Sequence, residues 1–177
     1  MTPSDEDVPL FLGKLEDKTG IDADDGCYNV TPPEIKEKYG FEIFKFDKSC
    51  KSFLLYNDKI YTLGESFGGL GAVSFAVADV NGDNAAELYY TYSWGAGEHR
   101  SHIGYFDSAE EKITDIDYTC WNSDMVFGIN EVDGKLAFYT ASVKQGASFV
   151  DIGLEPVDMR GVITCESGKI IPIFRMA

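Results

Sequence analysis

Val73-Ser74-Phe75-Ala76-Val77-Ala78-Asp79-Val80-Asn81-Gly82-Asp83-Asn84-Ala85-Ala86-Glu87-Leu88-Tyr89-Tyr90-Thr91-Tyr92-Ser93-Trp94 is the stretch that decides the class of fold. Its opening sets Val73, Phe75 and Val77 against smaller residues, the period of two that puts alternate side chains on opposite faces of a strand. Its close, Leu88–Trp94, is rich in aromatic and β-branched residues, which suit a pleated, half-buried surface. Between the two lies a polar loop of Asp, Asn and Gly. Strand, loop and strand together predict an antiparallel pair.

The same reading extends outward. Phe41, Ile43 and Phe46 open a strand, and Ser52–Tyr56 and Lys59–Leu63 flank Asn57-Asp58, a two-residue hairpin turn. Downstream come Ile103–Phe106, Ile113–Tyr118, Met125–Ile129, Lys135–Tyr139, Phe149–Leu154, Val162–Cys165 and Lys169–Phe174, with Asp133-Gly134 and Ser167-Gly168 as turns. This spacing predicts a mainly β fold, an antiparallel meander arranged as a barrel or sandwich, with one or two short N-terminal helices. The first helix is expected over Pro9–Glu16, with Leu10, Phe11 and Leu15 toward the core. The second starts at Thr31-Pro-Pro-Glu34, a capping box, and ends at Gly40. No linker divides the chain and no internal period marks a solenoid. Residues 1–8 read as a flexible tail and 9–177 as a single β-rich domain.

Composition narrows the partners. Aromatic residues make up 14% of the 177 residues, and the formal net charge is −15. Such a chain repels phosphate backbones and anionic membrane surfaces, which argues against nucleic acid, and it attracts cations. No apolar run reaches the length of a membrane span, and a monomer is expected. The polar start Met1-Thr-Pro-Ser-Asp-Glu-Asp7 is unlike a signal peptide, so an extracytoplasmic or secreted location would require a leader that was removed. Cys27, Cys50, Cys120 and Cys165 lack the C-x-x-C spacing of a zinc ribbon. They are either buried thiols or two disulfides, with Cys27–Cys50 and Cys120–Cys165 as the pairing within each half.

Asp79–Glu87 carries the clearest chemistry. Oxygen-bearing side chains stand at its positions 1, 3, 5 and 9, namely Asp79, Asn81, Asp83 and Glu87, and Ala85 at position 7 can offer its backbone carbonyl. Calcium takes about six to eight oxygens, and alternate side chains of a tight loop can converge on one such ion. An EF-hand is excluded, because Asn84 and Tyr90 stand where it needs Gly and Glu, and strands flank the loop instead of helices. The other reading is a polar hairpin turn with no ion.

The loop, with Phe67-Gly68-Gly69 a dozen residues upstream, resembles the calcium loops of FG-GAP (integrin-type propeller) repeats. That resemblance implies Asp79, Asn81, Asp83 and Glu87 as side-chain ligands and Ala85 as a carbonyl ligand of a structural Ca2+. Glu87 stands where Asp is usual, Asn84 replaces a common Gly, and only one copy exists, so the likeness covers residues 67–92 and not the fold. More widely, Ser49-Cys50, Ser52–Tyr56, the Asp79 loop, Thr91–Trp94 and His99-Arg100-Ser101 resemble an uncharacterised family of small bacterial exported or lipoprotein-like proteins. This implies an extracytoplasmic location and no particular activity.

The remaining candidate is Ser93–His102. It holds both histidines beside Trp94, Glu98 and Arg100. Trp94, Glu98, His99 and Arg100 are candidate ligand-binding residues, for an anion or for a sugar stacked on Trp94. His99 is also a candidate base for Ser93 or Ser101, although neighbours on a strand point to opposite faces. Three functions stay open: a calcium-stabilised extracytoplasmic module binding a glycan or surface protein, a hydrolase using Ser93–His102, and a purely structural domain of an envelope assembly. Glu65–Gly71 reads as a glycine-rich connection that lets strands pack closely.

Overall fold

The computed structural model describes residues 7–130, 134–144, 150 and 152–175. The expected turn at Asp133 and the start of the expected Phe149–Leu154 strand fall outside these residues. The fold is mainly antiparallel β, with two short helices near the N-terminus.

The helices are α1 (Asp7–Lys14) and α2 (Pro33–Tyr39). The strands are β1 (Cys27–Asn29), β2 (Glu42–Phe46), β3 (Ser52–Tyr56), β4 (Lys59–Thr62), β5 (Gly71–Ala78), β6 (Glu87–Trp94), β7 (Arg100–Asp107), β8 (Lys112–Trp121), β9 (Asp124–Ile129), β10 (Leu136–Lys144), β11 (Gly153–Glu166) and β12 (Lys169–Phe174). They form three four-stranded sheets, each a meander in chain order: β1–β4, β5–β8 and β9–β12. The unit of architecture is thus repeated although no sequence repeat is visible.

The second sheet lies between the other two. Leu88, Tyr90, Tyr92 and Phe106 pack with Phe41, Ile43 and Leu54 of the first-sheet region. From the opposite face, Tyr89, Ile103, Ile116 and Cys120 pack with Met125, Phe138 and Ile163 of the third. Double coverage explains why Glu87–Ser93 is buried at every position and shows no polar alternation. Thr91 is bonded where it enters the core, its Oγ1 donating to the Met125 carbonyl at 2.8 Å, whereas the Tyr90 hydroxyl is buried with no hydrogen-bond partner among the described residues.

Helix α1 covers the outer face of the first sheet. Phe11 stacks on Phe44 with ring centroids 4.1 Å apart, and Leu15 is buried beside it. Leu10, expected in the core, is exposed, because the helix turns it away from the sheet. Asp7, expected in the tail, belongs to α1 and accepts from Lys36 at 2.6 Å.

Two local expectations need correction. Thr31 does not cap α2. Its hydroxyl accepts from the Ile43 N–H at 2.6 Å and bonds Asn29 instead, leaving Pro32 at the helix start with no side-chain cap. The four cysteines are free thiols. Cys120 is buried between the second and third sheets and Cys165 lies in β11, so that pair is divided between two sheets. Cys50 points at the Asp47 carbonyl, and burial pushes the Cys27 thiol up to about 12.

Candidate functional site

Two polar constellations sit at opposite ends of β6. At its start, the Asp79–Ala86 loop closes the β5–β6 hairpin. Asp79 organises the backbone: Oδ1 accepts from the Gly82 and Asp83 N–H groups at 2.7 and 3.2 Å, and Oδ2 from Asn84 at 3.0 Å. Asn81 Oδ1 accepts from the Asp83 N–H at 2.8 Å, and Asp83 Oδ1 from the Ala85 N–H at 2.7 Å. These bonds coil the loop so that one carboxylate oxygen each from Asp79, Asp83 and Glu87 lies within 4.8 Å of the others. Gly82, with φ +77°, supplies a left-handed turn at little cost.

Three carboxylates so close repel one another unless a cation lies between them. Glu87 makes the arrangement informative. It is 1% exposed, whereas Asp79 and Asp83 are open to solvent. Its Oε2 accepts from the Val80 N–H at 2.8 Å and the Tyr89 hydroxyl at 3.0 Å. Its Oε1 is buried without a hydrogen-bond partner among the described residues. Burial raises the carboxyl above its ordinary value and the charges of Asp79 and Asp83 add to this, while the two hydrogen bonds oppose it. The donor set is all oxygen, which suits a hard cation.

At the other end of β6 the expected cluster is divided. Trp94 and Arg100 are cross-strand partners, and Arg100 pairs in turn with Trp121. The guanidinium lies 5.0 Å from the Trp94 ring and 5.1 Å from the Trp121 ring, so two indoles enclose it. His102 stacks on Tyr92 and Trp94 from the same face. Trp94 is therefore half-buried and packed against the core rather than free. Glu98 is exposed and only 3.7 Å from Arg100.

His99 leaves this group. Its Nε2 lies 3.0 Å from Oδ1 of Asp124, a residue only 5% exposed at the start of β9. Nothing in sequence spacing links residues 25 positions apart, which is why Asp124 was not foreseen. The serines expected as nucleophiles are both buried: Ser93 Oγ accepts from the Leu70 N–H at 3.1 Å, and Ser101 has no exposed surface. The glycine-rich connection serves close packing, since a Cβ on Gly69 would fall 2.4 Å from the Ser93 carbonyl oxygen.

No family model, curated protein or solved structure matches the chain. Among the described residues no helix is long and apolar enough to cross a membrane.

Proposed function

We propose that this protein is a calcium-stabilised binding module, with the ion held by Asp79, Asp83 and Glu87 and completed by the Asn81 side chain and the Ala85 carbonyl. The burial of Glu87, with Oε1 unpartnered and one carboxylate oxygen within 4.8 Å of those of Asp79 and Asp83, carries the reading. A buried acceptor is costly unless a donor or cation meets it, and the hydrogen bonds that Glu87 makes to the hairpin engage only Oε2. The likeness to FG-GAP loops supports calcium over magnesium, as does an irregular set of side-chain and carbonyl oxygens, because magnesium demands tighter octahedral geometry. The ion is structural: five protein ligands leave little room for a substrate.

The ligand of the module is a glycan or a surface protein, and its location is extracytoplasmic, as the resemblance to small exported proteins implies. Calorimetric titration of chelator-stripped protein with calcium tests the ion site. The wild type binds, and the variant carrying Asp79→Ala and Asp83→Ala does not. Equal heats from both would remove the site.

A further inference from the structure

The β5–β6 hairpin is eight residues long on each side, so its open end lies about 25 Å from the cation loop. There the three sheets leave a cleft of about 830 Å³, lined by the Lys48–Lys51 turn, the Glu65–Leu70 segment, His99 and Asp124. This size suits a small-molecule site, typically about 300–1,000 Å³.

Three features give the cleft a chemistry. The first is the His99–Asp124 pair. A carboxylate only accepts, so Nε2 of His99 is the donor to Asp124, and Nδ1 is the ring nitrogen not engaged by that carboxylate. The second is Phe67, which at 74% is the most exposed large apolar side chain among the described residues. Its exposure does not come from a loose loop. The Phe67 carbonyl accepts from the Gly95 N–H at 2.8 Å, and the following Gly68 and Gly69 lie against the backbone of residues 93–96. The ring is held in water by a fixed backbone. The third feature is charge. Lys48 and Lys51 offset Glu65 and Asp124, so the lining is close to neutral in a chain of net charge −15. Lys48 is already paired with Asp24, and Lys51 Nζ donates to the Thr19 carbonyl at 2.5 Å.

We propose that this cleft binds a neutral carbohydrate, one sugar ring stacking on Phe67 while His99, held by Asp124, and Glu65 hydrogen-bond its hydroxyls. A sugar face presents C–H groups to an aromatic ring and hydroxyls around its edge, which matches a cleft lined by one exposed flat ring and by polar side chains. Polyanions meet the repulsion of the whole acidic chain. The site deepens the binding-module reading and rests on it, but it does not require the cation.

The test is an array of immobilised neutral, sulfated and sialylated oligosaccharides, probed with wild type, Phe67→Ala and His99→Gln, each with calcium and with chelator. The wild type retains a subset of neutral glycans, and each variant loses at least tenfold in apparent affinity. Phe67→Ala removes an exposed ring and leaves the melting temperature unchanged, so its loss of binding is not unfolding. Failure to retain any glycan, retention of anionic glycans alone, or undiminished binding by Phe67→Ala overturns the proposal. The calcium titration is read separately, so loss of one reading leaves the other standing.

Discussion

Glu87 opens β6 and Trp94 closes it, and the polar groups at these two ends are gathered in different ways. At the Glu87 end, residues close in sequence converge in space, because a loop coiled by Asx-type hydrogen bonds brings alternate positions to one point. At the Trp94 end, residues close in sequence separate, because a strand sends neighbours to opposite faces. Arg100 and His102 turn to the indoles and Tyr92, while His99 turns to Asp124 in another sheet. A motif read along the chain is therefore a sound guide to the loop and a poor one to the strand ends. The first end should respond to ions, the second to packing.

That contrast can be broken by mutation. The largest effect is expected from Trp94→Ala, which removes a half-buried ring packed on the core and should cost about 2 kcal/mol in chemical denaturation. The loss should be the same with calcium and with chelator. A calcium-dependent loss would join the two ends and undo the distinction. Glu87→Gln should act with opposite signs in the two conditions. Without calcium it removes a buried negative charge that lies close to Asp79 and Asp83 and has one unpartnered oxygen, and should stabilise by about 1 kcal/mol. With calcium the ligand is lost, and the gain seen in the wild type should vanish. A uniform destabilisation in both conditions would show that Glu87 serves packing alone.

Arg100→Lys keeps the charge but loses the flat guanidinium between Trp94 and Trp121, at a cost of about 0.5–1 kcal/mol, with no change in calcium affinity. The smallest effect concerns His102. Burial holds its imidazole below the ordinary value of 6.5, Arg100 acts in the same direction, and Asp115 and the Tyr118 backbone oppose them. The unfolded chain then takes up a proton at a higher pH than the folded one, so stability falls as pH drops through 6.5. The urea midpoint of the wild type should fall further between pH 7.5 and 5.5 than that of His102→Phe, which keeps the stacked ring. An equal fall in both would assign the acid sensitivity elsewhere.

Much of the fold was legible because most strands are aromatic and bounded by clear turns; the exception is β11, one strand of 14 residues over Gly153–Glu166 where the sequence reads as two, Phe149–Leu154 and Val162–Cys165. Asn57 and Asp58 both take positive φ, as their hairpin requires, and Gly40 caps α2 in the left-handed region. What was not legible depends on partners distant in sequence. Strand β1 has three residues and is defined by pairing with β2, not by any pattern of its own. The division into three sheets was hidden because similar turns join strands within a sheet and between sheets. The burial of Glu87 was hidden as well, since a carboxylate ending a polar loop reads as a surface group until both faces of β6 are seen to be covered. Thr31 is a further case, a capping pattern overruled by a bond to Ile43, twelve residues away in β2.

Thermal unfolding of chelator-stripped protein, repeated with millimolar calcium and with millimolar magnesium, tests the central claim most directly. Binding to the folded state alone stabilises by about 2.7 kcal/mol when the free ion is at a hundred times its Kd. Calcium should therefore raise the melting temperature by several degrees, and magnesium by much less. An unchanged melting curve in calcium would reduce Asp79–Glu87 to a turn and contradict the account.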